Sequence, residues 1–146
     1  MKELSPEFLQ ELKAIVEPTS LLTRPEELLV YDQDGLTIYK GRASAAVLPR
    51  TTEQVAKIVA LCNKHKVPFI ARGAGTSLSG GTIPTEGGVI IEFALMNHIL
   101  EVDLENGLVL VEAGTANLSI SEKVAASGYF YAPDHSSQVV CTIGGN

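Results

Sequence analysis

The residues best suited to chemistry are concentrated in one segment, Arg72 to Gly81, which reads RGAGTSLSGG. Four of its ten residues are glycine. Glycine tolerates positive φ and lets a ligand approach the backbone, so successive N–H groups of such a loop can surround an anion. The hydroxyls of Thr76, Ser77 and Ser79 add donors, and Arg72 can add positive charge. The segment therefore predicts a phosphate-binding loop.

The charge pattern around this loop favours the same interpretation. From Gln54 through Thr85 there is no acidic residue, whereas Lys57, Lys64, Lys66 and Arg72 are present in a chain of net charge −6. A locally positive segment attracts a diphosphate, although the lysines are equally explained as the solvated face of a helix. The overall acidic balance argues against a nucleic-acid partner, which would require clustered excess Lys and Arg.

Several other site types do not match the sequence. The loop contains neither GxxxxGK[ST] nor a GxGxxG that opens a helix, and the chain has no GxSxG nucleophile turn. His65, His98 and His135 lack metal-ligand spacing. Hydrolase chemistry and a metal site are therefore not predicted. An ordinary glycine-rich turn between two strands remains the simplest alternative for the loop.

The elements around the loop follow a strand, helix, strand order. An apolar run from Ala45 to Leu48 predicts a strand, and Thr51 with Gln54 then forms a capping box that begins a helix. The run Pro68 to Ala71 predicts a second strand, directly before the loop. We expect a βαβ unit in which the two strands form a parallel pair.

Two helices are expected before this unit. Ser5 as N-cap and Pro6 at the first helical position predict a helix that ends before Pro18. Thr23 with Pro25 repeats the start signal for a shorter helix that reaches about Val30.

Three strands and a helix are expected after the loop. The strands cover about 89–93, 99–102 and 108–112, and Asn106-Gly107 joins the last two as a hairpin. A helix from about Ala116 to Ser127 is closed by Gly128.

The bulk properties indicate one ordinary core in 146 residues with 45% hydrophobic content. Cys62 and Cys141 stand far apart without CxxC spacing, so we expect buried free thiols. The uncharged stretches are too short to predict a transmembrane segment. The N-terminus begins with Lys2 and Glu3 and not with the apolar core of a signal peptide. We therefore expect a cytoplasmic protein.

The stretch ARGAGTSLSGG from Ala71 to Gly81 resembles the pyrophosphate loop of the vanillyl-alcohol oxidase type, or PCMH-type, FAD-binding domain. The approach AAVLPRTTEQVAKIV, the tyrosine-acid-glycine stretch Tyr31 to Gly35 and the tail APDHSSQVVCTIGGN extend the likeness. Together they resemble the glycolate oxidase and D-lactate dehydrogenase branch of that family.

The resemblance implies an α+β fold that forms the N-terminal part of a PCMH-type FAD-binding domain. A small βαβ subdomain would be followed by the start of a second α/β subdomain. Residues 1–40 would be an N-terminal helical segment and residues 41–146 a truncated FAD-binding domain without the cap or substrate domain.

The resemblance also implies a set of cofactor-binding residues and no catalytic residue within this chain. The implied set is Pro49, Arg72, Gly73, Ala74, Gly75, Thr76, Ser77, Leu78, Ser79, Pro133, Asp134, Ser137, Thr142, Gly144, Gly145 and Asn146. Covalently flavinylated members carry histidine where this loop has Thr76, so FAD is expected to be non-covalent.

The implied function is FAD-linked oxidation of a 2-hydroxy acid such as glycolate or D-lactate by the full-length protein, with this part alone inactive. An iron-sulfur partner subunit and a homo-oligomer are further expectations. Alternatives are a flavoenzyme of the same fold with another substrate, such as a UDP-sugar enol reductase or an ether-lipid synthase, and an inactive fragment that only binds or self-associates.

Overall fold

The computed structural model describes residues 3–84, 87–133 and 136–146, and within them the chain forms a mixed α+β fold, as expected. The described residues contain a four-stranded sheet of order β1-β2-β4-β3 and a two-stranded sheet, β5-β6. The strands are β1 Leu21–Leu22, β2 Ala43–Val47, β3 Phe69–Arg72, β4 Gly88–Glu92, β5 Ile99–Asp103 and β6 Leu108–Val111. The helices are α1 Pro6–Lys13, α2 Pro25–Leu28, α3 Thr52–His65 and α4 Asn117–Val124.

Strand β4 lies at the centre of the larger sheet and runs parallel to both β2 and β3. The expected direct pairing of the strands before and after α3 was therefore wrong, because β4 lies between them. Val89, Ile90 and Ile91 of β4 are all buried, so this strand needs cover on both faces. Strand β3 has exposed and half-buried residues, which suit an edge position.

Helices α1 and α3 cover one face of this sheet. Phe8 and Leu12 of α1 are fully buried together with Ile58 and Cys62 of α3. A second cluster on Leu28 of α2 packs against the sheet residues Ala43, Ala46 and Ile90. Strand β1 pairs antiparallel with β2. Residues before 41 therefore share the core and the sheet with residues after it.

The predicted helix starts are mostly confirmed. The Ser5 hydroxyl accepts a hydrogen bond from the Phe8 N–H at 3.2 Å, and the Thr51 hydroxyl accepts one from the Gln54 N–H at 3.2 Å. The Gln54 amide oxygen accepts from the Arg50 N–H rather than from Thr51. Helix α2 has Arg24 instead of Thr23 as its N-cap and is only one turn long, continued by a 3₁₀ turn at Leu29–Tyr31.

The hairpin and the last helix also match the prediction. Strands β5 and β6 pair antiparallel, and Gly107 in their connection has φ +65°. Helix α4 begins at Asn117 and continues as a 3₁₀ turn to Ser127, after which Gly128 has φ +79°. A bridge between Ala116 and Thr142 holds the tail beside the start of α4. Among the described residues, no helix combines the length and apolar character needed to cross a membrane.

Candidate cofactor-binding site

The glycine loop and the C-terminal tail face each other across a cleft of about 290 Å³. Nine residues that the sequence assigned to the cofactor line this cleft. They are Gly73, Ala74, Gly75, Thr76, Ser77, Ser137, Thr142, Gly145 and Asn146. The fold therefore brings together two segments that are about sixty residues apart in the chain.

The cleft has the donor set that a diphosphate requires. Between described residues, no hydrogen bond uses the N–H groups of Ala74, Gly75, Thr76 or Ser77 as donors, and all four residues line the cleft. Gly75 has φ +70°, as a loop with convergent N–H groups needs. Hydroxyls of Thr76 and Ser77 are present, and none of the lining residues carries a carboxylate side chain. These residues fit the diphosphate of a dinucleotide cofactor.

The tail is held beside the start of α4 by backbone hydrogen bonds, and it approaches the glycine loop at Gly73. The Asn117 N–H donates to the Cys141 carbonyl at 3.0 Å, and the Ile143 N–H donates to the Thr115 carbonyl at 3.0 Å. A Cβ atom at position 73 would overlap the Thr142 hydroxyl, so glycine at this position allows the loop and the tail to touch. The width of the cleft therefore depends on this contact.

Arg72 does not line the cleft, although the sequence suggested it as a source of positive charge. Its side chain is only 8% exposed and lies beneath the loop, 3.6 Å from the Glu92 carboxylate. The guanidinium donates to the Gln33 carbonyl at 3.2 Å and to the Val30 carbonyl at 3.4 Å. It also lies 5.5 Å from the centroid of the Tyr31 ring. The arginine therefore supports the loop from below.

Glu92, the partner of Arg72, is also buried. Burial raises the pKa of Glu92 to about 7, and the positive charge of Arg72 opposes this rise only in part. Because removal from water disfavours the ionised carboxylate, the proton is held more tightly in the folded state than in the unfolded chain. Folding is thus coupled to protonation of this residue.

We expect Glu92→Gln to flatten the pH dependence of stability between pH 5 and pH 8. The pKa of Glu92 rises from its ordinary 4.5 to about 7 on folding. The folded state therefore binds more protons in this interval, and the native free energy of unfolding falls with rising pH, by up to about 1.4 kcal/mol per pH unit. Glutamine cannot titrate, so the variant gains stability relative to the native protein as pH rises.

Urea unfolding at pH 5, 6, 7 and 8 measures this difference. Glu101→Gln is the matched control, because Glu101 is an exposed glutamate of β5, and it should keep the native slope. If the free energies of unfolding of the native protein and Glu92→Gln changed in parallel with pH, Arg72 would fully offset the effect of burial on the pKa of Glu92.

The other residues assigned from the sequence do not line the cleft. Pro49 is fully buried after β2, and Arg72 lies beneath the loop. Leu78, Ser79, Pro133 and Gly144 are exposed and lie outside the lining set. Asp134, like its neighbour His135, lies outside the described residues.

Thr82 and Cys141 line the cleft but were not assigned to it from the sequence. Thr82 follows the paired glycines directly, and its hydroxyl accepts a hydrogen bond from Arg72 at 3.4 Å. Its position next to the glycine loop in the sequence could have been used to assign Thr82 to the cleft. Cys141 is a buried free thiol, as predicted, and so is Cys62. Nothing in the local sequence distinguishes the cysteine that faces the cleft from the one in the core.

The histidines with described contacts lie within hydrogen-bonding distance of carboxylates away from the cleft. His65 lies 2.8 Å from the Glu11 carboxylate, and His98 lies 2.7 Å from that of Glu112. Across the ranges that the structure describes, no three His, Cys, Asp or Glu side chains come together as a metal site. These pairs join α1 to α3 and close the start of the hairpin.

The glycine-lined cleft fits the diphosphate of a nucleotide cofactor, and comparison with known families identifies the class of domain that contains it. The family model described as FAD binding domain matches residues 43–146. The chain therefore belongs to the FAD binding domain family, and the cofactor of this family is FAD. The resemblance recognised in the sequence is confirmed.

Particular relatives are similar over nearly the whole chain. The Escherichia coli glycolate oxidase subunit GlcD is 43% identical over 138 residues, which are 94% of this chain and 28% of that protein. A D-lactate dehydrogenase of Anaerostipes hadrus is 34% identical, over 99% of this chain and 30% of that protein. The chain thus spans under a third of the length of these relatives.

Solved structures confirm the PCMH-type fold. An alkyldihydroxyacetonephosphate synthase superposes with a TM-score of 0.87 at 25% identity, covering 98% of this chain and 29% of that one. p-Cresol methylhydroxylase with substrate bound superposes with a TM-score of 0.74 at 27% identity, covering 84% of this chain and 24% of that one.

Proposed function

We propose that this chain is the diphosphate-binding part of a flavin-dependent oxidoreductase that oxidises a 2-hydroxy acid such as glycolate or D-lactate. The observation that carries the proposal is the cleft between the glycine loop and the tail, whose loop N–H groups have no partner among the described residues. The names of the relatives support the substrate class.

In this proposal the chain binds and orients the cofactor. The N–H groups of Ala74 to Ser77 and the hydroxyls of Thr76 and Thr82 would hold the diphosphate. Gly145 and Asn146 would lie along the remainder of the cofactor where the tail meets the cleft. Bound FAD supplies the acceptor for a hydride from the substrate α-carbon. We assign no general base to this chain.

The proposal includes a small 2-hydroxy acid substrate, an iron-sulfur partner subunit and a cytoplasmic location. The likeness to a protein named as a glycolate oxidase subunit supports the substrate class and the presence of a partner subunit. Co-purification of a second, iron-containing polypeptide with the protein would support the partner.

Purified protein that carries this chain tests the activity. We expect a yellow preparation with bound FAD that reduces an artificial electron acceptor in the presence of glycolate or D-lactate, with L-lactate as the stereochemical control. A flavin-containing protein that is inactive on all three acids would favour the same-fold alternative with another substrate. A colourless protein that does not take up added FAD would contradict the proposal.

A second candidate, a binding or self-associating module, is favoured by one observation. Leu100, Leu108 and Leu110 of the β5–β6 hairpin are exposed. Exposed leucines on a two-stranded sheet promote association. Sedimentation of the native protein beside Leu108→Ser would detect such assembly, and FAD binding would distinguish this candidate from the first.

We expect FAD to be released completely by acid precipitation. Thr76 stands where tethered relatives carry histidine, and a hydroxyl cannot replace the imidazole nitrogen that bonds the flavin. All yellow colour should move to the supernatant, whereas a covalently flavinylated protein treated in parallel should keep its colour in the pellet. Colour retained by the precipitated protein would indicate a covalent link at another residue.

A further inference from the structure

A short segment from another part of the chain grips the glycine loop at several points. We call residues 30–35 the bracket segment; it follows α2 and includes the 3₁₀ turn end at Tyr31. The Gly35 N–H donates to the Ser77 carbonyl at 3.0 Å, and the Asp34 carboxylate accepts from the Gly80 N–H at 2.9 Å. Arg72 adds bonds to two carbonyls of the same segment. The loop is therefore held from its first residue to its penultimate one.

Asp34 is the unusual member of the bracket segment. It is only 5% exposed, and its two carboxylate oxygens accept from the N–H groups of Leu36 at 2.9 Å and Gly80 at 2.9 Å. A buried carboxylate is costly unless it is hydrogen-bonded, and a negative charge beside a diphosphate loop opposes anion binding. The presence of Asp34 is explained if its hydrogen bond to Gly80 stabilises the anion-binding conformation of the loop by more free energy than its negative charge costs when a diphosphate binds.

Gly35 shows which side of the loop faces the bracket segment. A Cβ atom at position 35 would lie 3.0 Å from the Thr76 carbonyl oxygen and 3.3 Å from that of Ser77. In a trans peptide the C=O and the following N–H point in opposite directions. Carbonyls held against the bracket segment thus aim the N–H groups of Ser77 and Leu78 away from it. Ser77 itself lines the cleft.

We propose that Asp34 is a positioning residue for the cofactor diphosphate. It acts through the bracket segment, which keeps the loop carbonyls turned away from the cleft. The loop N–H groups are then already oriented for the diphosphate before it binds. The proposal rests on the proposed FAD-binding function. Asp34 is not itself one of the residues that line the cleft. It acts by lowering the cost of ordering the loop when the diphosphate binds.

Asp34→Asn tests the proposal with a side chain of the same shape. The amide has one acceptor oxygen and would place its NH₂ against one of the two N–H groups, so the hold on Gly80 or Leu36 is lost. We expect the dissociation constant for FAD to rise by about ten- to hundredfold, as loss of a charge-assisted hydrogen bond predicts. Asp103→Asn is the matched control, because the Asp103 carboxylate also accepts two hydrogen bonds, from the backbone N–H and the side-chain amide of Asn106, but lies at the end of β5 and not in the cleft lining.

Two further variants separate positioning from general stability. Gly35→Ala keeps Asp34 but pushes a methyl group against the Thr76 carbonyl, so it should also weaken FAD binding. Ile58→Val removes one methyl group from the core of α3 and should lower the melting temperature without lowering FAD affinity. FAD titration and thermal unfolding of each apoprotein provide the two readouts. If Asp34→Asn does not fold, Gly35→Ala decides the question.

Weaker FAD binding by Asp34→Asn or Gly35→Ala, at a temperature where the apoprotein is folded, would support the proposal if Ile58→Val and Asp103→Asn keep the native FAD affinity. Unchanged FAD affinity in the bracket variants would overturn it and leave the proposed function intact. Equal loss in Ile58→Val would also overturn it. Absence of FAD binding by the native protein would overturn both.

Discussion

Replacing Gly75 with valine is expected to abolish FAD retention. Gly75 has φ +70°, which a β-branched residue adopts only with strain of about 1–3 kcal/mol. A Cβ atom there would also overlap the Arg72 guanidinium, which cannot easily yield because Glu92 and two backbone carbonyls hold it. The obstacle to the new side chain therefore lies beneath the loop, where the Arg72 guanidinium is held.

The flavin content of the purified Gly75→Val protein, measured from its absorbance, tests this expectation. Gly107→Val is the matched control, because Gly107 has φ +65° in the β5–β6 connection and no atom lies within 4 Å of the position that its Cβ would take. The control carries the backbone strain without the overlap and should keep its FAD. Native flavin content in Gly75→Val would refute the assignment of the loop.

Replacing Gly73 with alanine is expected to give the second largest loss of FAD affinity. The added methyl group would overlap the Thr142 hydroxyl and force the loop and the tail apart at the cleft. Overpacking of this kind costs about 1–3 kcal/mol. The cost falls on the closed cleft that holds the cofactor, so FAD should bind weakly while α1, α3 and the central sheet stay folded.

A double-mutant cycle identifies the contact as the cause. Thr142→Ala removes the hydroxyl that the new methyl group would meet, so Gly73→Ala with Thr142→Ala should bind FAD better than the sum of the single losses predicts. FAD titration of the native protein, both single variants and the double variant gives the coupling. Strict additivity would show that Gly73 acts through something other than Thr142.

Local signals in the sequence predicted most of the elements correctly. The Ser5 and Thr51 caps, the Asn106-Gly107 hairpin and the closure at Gly128 each depend on a few neighbouring residues. Such signals are sufficient because the groups that satisfy one another are close in the chain. The Thr23 start was off by one residue, because the Glu27 carboxylate instead accepts hydrogen bonds from the backbone N–H and side chain of Arg24.

Strand order could not be derived in the same way. The sequence showed a strand on each side of α3 and so suggested that they pair. Strand β4 comes between them because its Val-Ile-Ile run gains most from burial on both faces. The position of a strand in the sheet depends on how its apolar content compares with that of every other strand. A local sequence pattern therefore does not predict the strand order.

The sequence by itself was sufficient to identify the family and the cofactor and to predict an anion-binding loop, because glycine spacing and hydroxyl content are properties of a continuous segment. Only the tertiary structure decided which groups face the cleft. It placed Arg72 beneath the loop with Glu92, brought Thr82 and Cys141 into the cleft, and set Asp34 against Gly80, 46 residues away. A buried charge must find its partners wherever the fold supplies them, and those partners are distant in the chain.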